Sequence, residues 1–95
     1  MLKCAEFALV NRKEEELLNS VKKRIGMRLA QLRKENGYGS YETFAYDHEI
    51  PRMQYWRIEK GRANFTLKSL AKLLSIHKIT IEDFFASLPK ESKSK

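Results

Sequence analysis

Pro51 interrupts a stretch that otherwise reads as helix, with Ser40 ahead of it and Gly61 behind. Proline lacks a backbone donor and its ring clashes with the preceding turn, so no regular helix runs through it. The start of a new helix accepts it readily, and the residue before it, Ile50, is pushed toward an extended conformation. The stretch must fold as two short helices and a tight turn. One spans 40–48, with the Ser40 hydroxyl as N-cap, and the other spans 51–60 and stops at Gly61.

The flanking segments are helical too. Leu18, Val21, Ile25, Leu29 and Leu32 recur at three- and four-residue steps, which places them on one face of a helix. That helix is expected from Glu14 to the Asn36-Gly37 pair, despite Gly26, whose presence in a helix interior costs about 1 kcal/mol. Asn64 and Thr66 offer turn and cap chemistry before a fourth helix over 67–74. Thr80 with Asp83 approximates a capping box for a fifth, ending near Leu88. Residues 1–13 carry no clear period and read as a tail or a short appended element, and 89–95 as a frayed, lysine-rich end. No alternating strand pattern competes. The expected architecture is all-α and five-helical, with an N-terminal extension over 1–20, a domain over 21–88 and a disordered basic tail over 89–95.

Composition narrows the partners. The longest apolar run, Phe7–Val10, is far short of the roughly 20 residues that span a membrane. Lys3 and Glu6 interrupt the one candidate secretory segment, and a lone cysteine, Cys4, forms no internal disulfide, so a reduced, cytoplasmic setting is expected. A net charge of +7 on 95 residues favours a polyanionic partner, nucleic acid ahead of an acidic membrane surface. Lys90, Lys93 and Lys95 place part of that excess in the tail, where it need have no partner at all.

At about 100° per residue, Tyr55 and Ile58 lie roughly 60° apart on the inner side of the 51–60 helix. Ile50, Phe44 and Ala45 are placed to pack against them, and the Tyr55 hydroxyl is expected to reach the surface while its ring is buried. The outer side carries Met53, Trp56 and Arg57, with Arg52 at the N-terminal tip. A guanidinium fork matches the O6/N7 acceptors of guanine, while Met53 and Trp56 suit thymine methyls or sugar edges. The solvated-face alternative for both arginines, and packing of Trp56 against the N-terminal extension, stay open on these residues alone. His48 and His77 have no ligand partners at metal spacing, Cys4 has no aligned base, and Glu14–Glu16 suit a helix start. No nucleotide-cradling glycine loop exists. Neither enzyme activity, nor a cofactor, nor a metal is expected.

Three stretches carry a resemblance: IGMRLAQLRKENGY, SYETFAYDHEIPRMQYWRIEKG and FTLKSLAKLLSIHKITIEDFF. With Phe44-Ala45, Ile50, Tyr55, Ile58, Glu59 and Gly61 in order, residues 26–85 resemble the phage repressor/Cro-type (XRE-type) helix-turn-helix regulators. The resemblance implies a lambda-repressor-like fold and sequence-specific binding to double-stranded DNA, with Arg52, Met53 and Arg57 on base edges. It implies backbone or nearby contacts at Tyr41 and Lys60, which Ser40 and Arg62 would join, and a structural ion pair between Arg33 and Glu59. Three features depart from the pattern. Glu49 stands where glycine is usual, so either a non-glycine residue turns left-handed or the turn differs; an extra residue sits in 37–40; and His48 and Tyr55 replace smaller aliphatic residues.

Ile79, Ile81, Phe84, Phe85 and Leu88 are more apolar than the last helix of a small monomer needs. A homodimer on a near-palindromic site, with half-sites about 34 Å apart, is the expectation, and 2–10 is a second candidate interface. The rival reading is an interaction module, such as an antitoxin holding a toxin partner, which the extension over 1–20 would serve. A non-specific or RNA-binding role fits less well, because no strand platform interleaves aromatic with basic residues.

Overall fold

The computed structural model describes residues 4–90, with side chains from residue 12 onward. Five helices follow one another: α1 (Cys4–Glu35), α2 (Tyr41–Asp47), α3 (Arg52–Glu59), α4 (Leu67–His77) and α5 (Ile81–Ala86). The described residues contain no strand.

α1 begins ten residues earlier than the start expected at Glu14. Cys4–Lys13 continue the same helix instead of forming a separate tail. The segment contains neither Gly nor Pro, so nothing in it breaks the helix that continues from α1's apolar stripe. At the other end of the chain, Pro89 is tied down instead of frayed, because the Arg24 Nε–H donates to its carbonyl at 2.9 Å. Residues 91–95 of the expected tail lie outside the described residues.

The caps fall where hydroxyl residues stand. Ser40 Oγ accepts from the backbone N–H of Glu42 and Thr43, Thr66 Oγ1 from Ser69, and Thr80 Oγ1 from Asp83. Four helix ends share one device. After α1, α2, α3 and α4 a residue with positive φ follows: Gly37 (91°), Glu49 (58°), Gly61 (72°) and Lys78 (57°). In each case that residue and its successor donate back to two carbonyls of the last turn, as in Glu49 N–H to Tyr46 O at 3.2 Å and Ile50 N–H to Ala45 O at 2.8 Å. This paired bonding is the Schellman ending. It explains why α4 runs three residues past Leu74: Ser75, Ile76 and His77 contain no breaker, and the helix continues until Lys78 turns left-handed.

Glu49 thus settles the turn between α2 and α3. The usual geometry is kept, and a glutamate adopts the left-handed conformation at a cost of about 1 kcal/mol or more. Glu49→Gly is expected to stabilise the fold by about 0.5–1 kcal/mol, after the extra chain entropy of glycine is subtracted. A denaturant midpoint that fell instead would mean that the glutamate side chain contributes more than its backbone strain costs.

Ile25, Leu29 and Leu32 of α1 meet Phe44 and Ala45 of α2, Tyr55 and Ile58 of α3, Leu70, Leu73 and Leu74 of α4, and Phe84 of α5 in one core. Ile50 packs at its edge, from the turn. α1 and α3 cross with their backbones almost touching. A Cβ on Gly26 would fall 2.6 Å from the Ile58 carbonyl oxygen and closer still to that of Glu59. On the other side of the crossing, a Cβ on Gly61 would meet the Lys23 Cα at 2.9 Å. The interior glycine of α1 is therefore required by the crossing.

Candidate nucleic-acid interface

α3 is divided into two sides. Tyr55 and Ile58 are buried, while Arg52, Met53, Gln54 and Arg57 are exposed, as is Lys60 at the end of the helix. The buried side rests on Phe44 of α2, whose ring lies 5.0 Å from that of Tyr55. Side chains pointing the other way are free to meet a ligand without disturbing the core.

Trp56 differs from its neighbours. It is half-buried, and the Arg62 guanidinium sits over its indole, 5.6 Å from the ring centre. Such stacking is worth about 0.5–1 kcal/mol at an exposed site and keeps Arg62 beside the end of α3. Arg52 forms an exposed ion pair with Glu42 of α2 at 3.5 Å, which joins the starts of the two helices. Ser40 caps α2, and Tyr41 is half-buried against the core. Four cations, Arg52, Arg57, Lys60 and Arg62, thus lie along or just beyond α3.

The sequence candidates omitted three residues that border this surface. Thr43, Tyr46 and Glu42 line an open depression with Ile50 and Arg52. The signal was present: once Phe44 and Ala45 turn inward, positions 42, 43 and 46 of the same helix must face outward. Gln54 is a fourth, in the first turn of α3.

Arg33 and Glu59 hold the arrangement from beneath. The Arg33 Nε–H donates to one Glu59 oxygen at 2.7 Å and its Nη2 to the other at 3.1 Å, while Nη1 reaches the Tyr38 carbonyl at 2.9 Å. Their side chains are 8% and 7% exposed. The bond to Glu59 raises the Arg33 pKa further above its ordinary value, against the opposing effect of burial. The fork ties the end of α1 to the end of α3 and to the loop before α2.

The Tyr55 hydroxyl does not reach the surface as expected. The residue is wholly buried, and burial, helped by the neighbouring Glu59 carboxylate, pushes its pKa well up. α3 lies too close to α1 and α2 to leave the ring an outlet. His48 and His77 serve as packing for Phe44. His48 Nδ1–H donates to the Phe44 carbonyl at 3.0 Å, and the His77 ring stacks on Phe44 with centroids 5.3 Å apart. Asn36 Nδ2 donates to His77 Nδ1 at 2.7 Å, and burial holds the His77 pKa below its usual value.

Two short helices locked at a tight turn, the second buried on one side and cationic on the other, define a helix-turn-helix regulator of the phage repressor/Cro type. No protein-family model matches the chain. Control protein C.MunI of a Mycoplasma species is 36% identical over 74 residues, which cover 78% of this chain and all of that protein. The crystal structure of the restriction-modification controller protein C.AhdI from Aeromonas hydrophila has a TM-score of 0.59 and 30% identity, over 67% of this chain and 96% of that one. The chain belongs to the controller-protein family of Cro/C1-type helix-turn-helix regulators, which bind DNA and regulate transcription. The comparisons do not favour the antitoxin alternative, since both relatives are regulators. No helix among the described residues is long and apolar enough to cross a membrane.

Proposed function

We propose that this protein controls the expression of a restriction–modification system, acting in the cytoplasm as a two-fold dimer that lays α3 in the major groove of each half-site. The observation that carries the reading is the division of α3, with Tyr55 and Ile58 buried and Arg52, Met53 and Arg57 exposed on the opposite side. Arg52 and Arg57 read guanine edges, and Met53 supplies an apolar contact. Trp56 contributes through shape and through its hold on Arg62. Ser40, Tyr41, Lys60 and Arg62 position the backbone, and the start of α2 presents N–H groups to a phosphate. Ile81 and Phe85 on the outside of α5, 46% and 39% exposed, support dimerisation through that helix.

The test is selection from random duplex DNA near ~0.15 M salt, where non-specific binding is weakened, repeated with Arg52→Ala/Arg57→Ala. The expected result is an enriched two-fold motif that the double variant loses. Each single substitution should cost about 1–3 kcal/mol of specific binding and relax one base pair. Tight binding without enrichment would reduce the surface to a non-specific electrostatic one.

A further inference from the structure

The crossing of α1 and α3 brings together cations from distant parts of the chain. A Cβ on Gly61 would stand 2.9 Å from the Lys23 Cα and 3.4 Å from the Lys22 carbonyl carbon. Lys22 and Lys23 of α1 therefore border the segment that carries Lys60 and Arg62. Lys22 Nζ also donates to Asn64 Oδ1 at 3.2 Å, which ties the same segment to α1. Lys23, Lys60 and Arg62 are exposed, and Lys22 is half-buried.

Helical geometry places this cluster on one flank of the outward side of α3. The Glu59 side chain reaches Arg33 of α1. At about 100° per residue, Trp56 lies roughly 60° and Lys60 roughly 100° further round from Glu59, toward Met53 and Arg57. The Arg62 guanidinium lies over the Trp56 indole, and its backbone N–H donates to the Arg57 carbonyl at 2.8 Å. Cations thus run from Arg57 through Lys60 and Arg62 to Lys22 and Lys23.

These cations lack anionic partners. Arg28, Arg33 and Arg52 pair with Glu35, Glu59 and Glu42, whereas Lys22, Lys23, Arg57, Lys60 and Arg62 form no ion pair among the described residues. No acid stands three or four residues from Lys22 or Lys23 along α1. Glu15 and Glu16 share their sides of the helix but lie seven residues back, about 10 Å along the axis, where salt screens them. A helix with its side chains is about 10–12 Å across and the major groove about 12 Å wide, so a helix seated there has phosphates along its flanks.

We propose that Lys22 and Lys23 extend the DNA interface onto α1, where with Lys60 and Arg62 they grip the phosphate backbone on the groove wall beside α3. The proposal rests on the DNA reading above and adds to it a contact that positions the duplex without reading bases.

The test is the salt dependence of duplex binding by the full chain, on random duplex and on any motif that selection enriches. Each lysine taken from a phosphate should lower the slope of log K against log salt by about 0.9 per bound subunit, and the affinity at ~0.15 M by about fivefold. Lys22→Gln/Lys23→Gln should therefore lose affinity equally on both DNAs, whereas Lys22→Arg/Lys23→Arg should keep the slope. Lys23→Gln alone carries the same test if loss of the Lys22 bond to Asn64 disturbs the loop, since Lys23 has no partner of its own. Lys90→Gln, at an exposed lysine beyond α5, removes the same unit of charge and should leave the slope unchanged. An unchanged slope in the glutamine variants, an equal fall in Lys90→Gln, or a loss confined to the motif would each overturn the contact. A wild type that enriches a motif, with an unchanged slope in the variants, removes the α1 contact and leaves the base reading standing. A lowered slope on random duplex with no motif enriched does the reverse, and a wild type that binds no duplex overturns both.

Discussion

Arg33→Ala should cost about 3–5 kcal/mol, a large part of the 5–15 kcal/mol by which a domain of this size is stable. The loss comes mainly from what remains. Glu59 would keep a carboxylate that is 7% exposed with neither fork of the guanidinium on it, and the Tyr38 carbonyl would lose its donor. Removing both charges should hurt far less than the sum of the single changes, because an apolar pair of similar volume leaves nothing buried and uncompensated. The cycle Arg33→Met, Glu59→Leu and the double variant, followed by urea unfolding, measures this directly. A loss below about 1 kcal/mol for Arg33→Ala would show that water enters and solvates Glu59.

The second large effect is expected at Gly26. Intrinsic propensity says that alanine in a helix interior is better than glycine by about 1 kcal/mol. Here the sign should reverse. The added methyl would collide with the backbone carbonyls of Ile58 and Glu59, which have no rotamer into which to retreat. α3 would have to shift away from α1, at a net cost of about 3 kcal/mol, with a matching loss of DNA affinity because the reading side moves with it. Measured stabilisation by Gly26→Ala would mean that the two helices are not in backbone contact.

What the sequence made legible, and what it hid, follows from which information is local. The stripe Val21 to Leu32, the break at Pro51 and the hydroxyl caps at Ser40, Thr66 and Thr80 act within a few residues, and each appears in the structure where the pattern put it, whereas Leu18, the first residue expected in the stripe, is 45% exposed. The division of α3 was equally readable, since a helical period fixes which residues oppose Tyr55 and Ile58. Gly26 was legible only as a cost, because its reason lies across the fold in Ile58 and Glu59. Tyr55 shows the same limit. That its ring is core followed from the period, but whether its hydroxyl found an outlet depended on how closely three helices converge. Thr43 and Tyr46 border the same surface by a plain helical period, since both lie on the side of α2 away from Phe44 and Ala45. The early start of α1 escaped for the opposite reason: a segment free of Gly and Pro but without a clear period permits helix and leaves no periodic signal to read.

The crossing of α1 and α3 bears on how such a regulator acquires new targets. α3 is seated by peptide carbonyls against Gly26 and by Lys23 against Gly61, together with two inward side chains. Its outward residues share almost none of that seating, so they can be exchanged while the scaffold stays fixed. If Arg52, Met53 and Arg57 read the bases as proposed, a change of operator requires only changes at those positions, at little expense to folding. Drift of the operator can be followed residue by residue, and a regulator built this way can be re-addressed without being rebuilt.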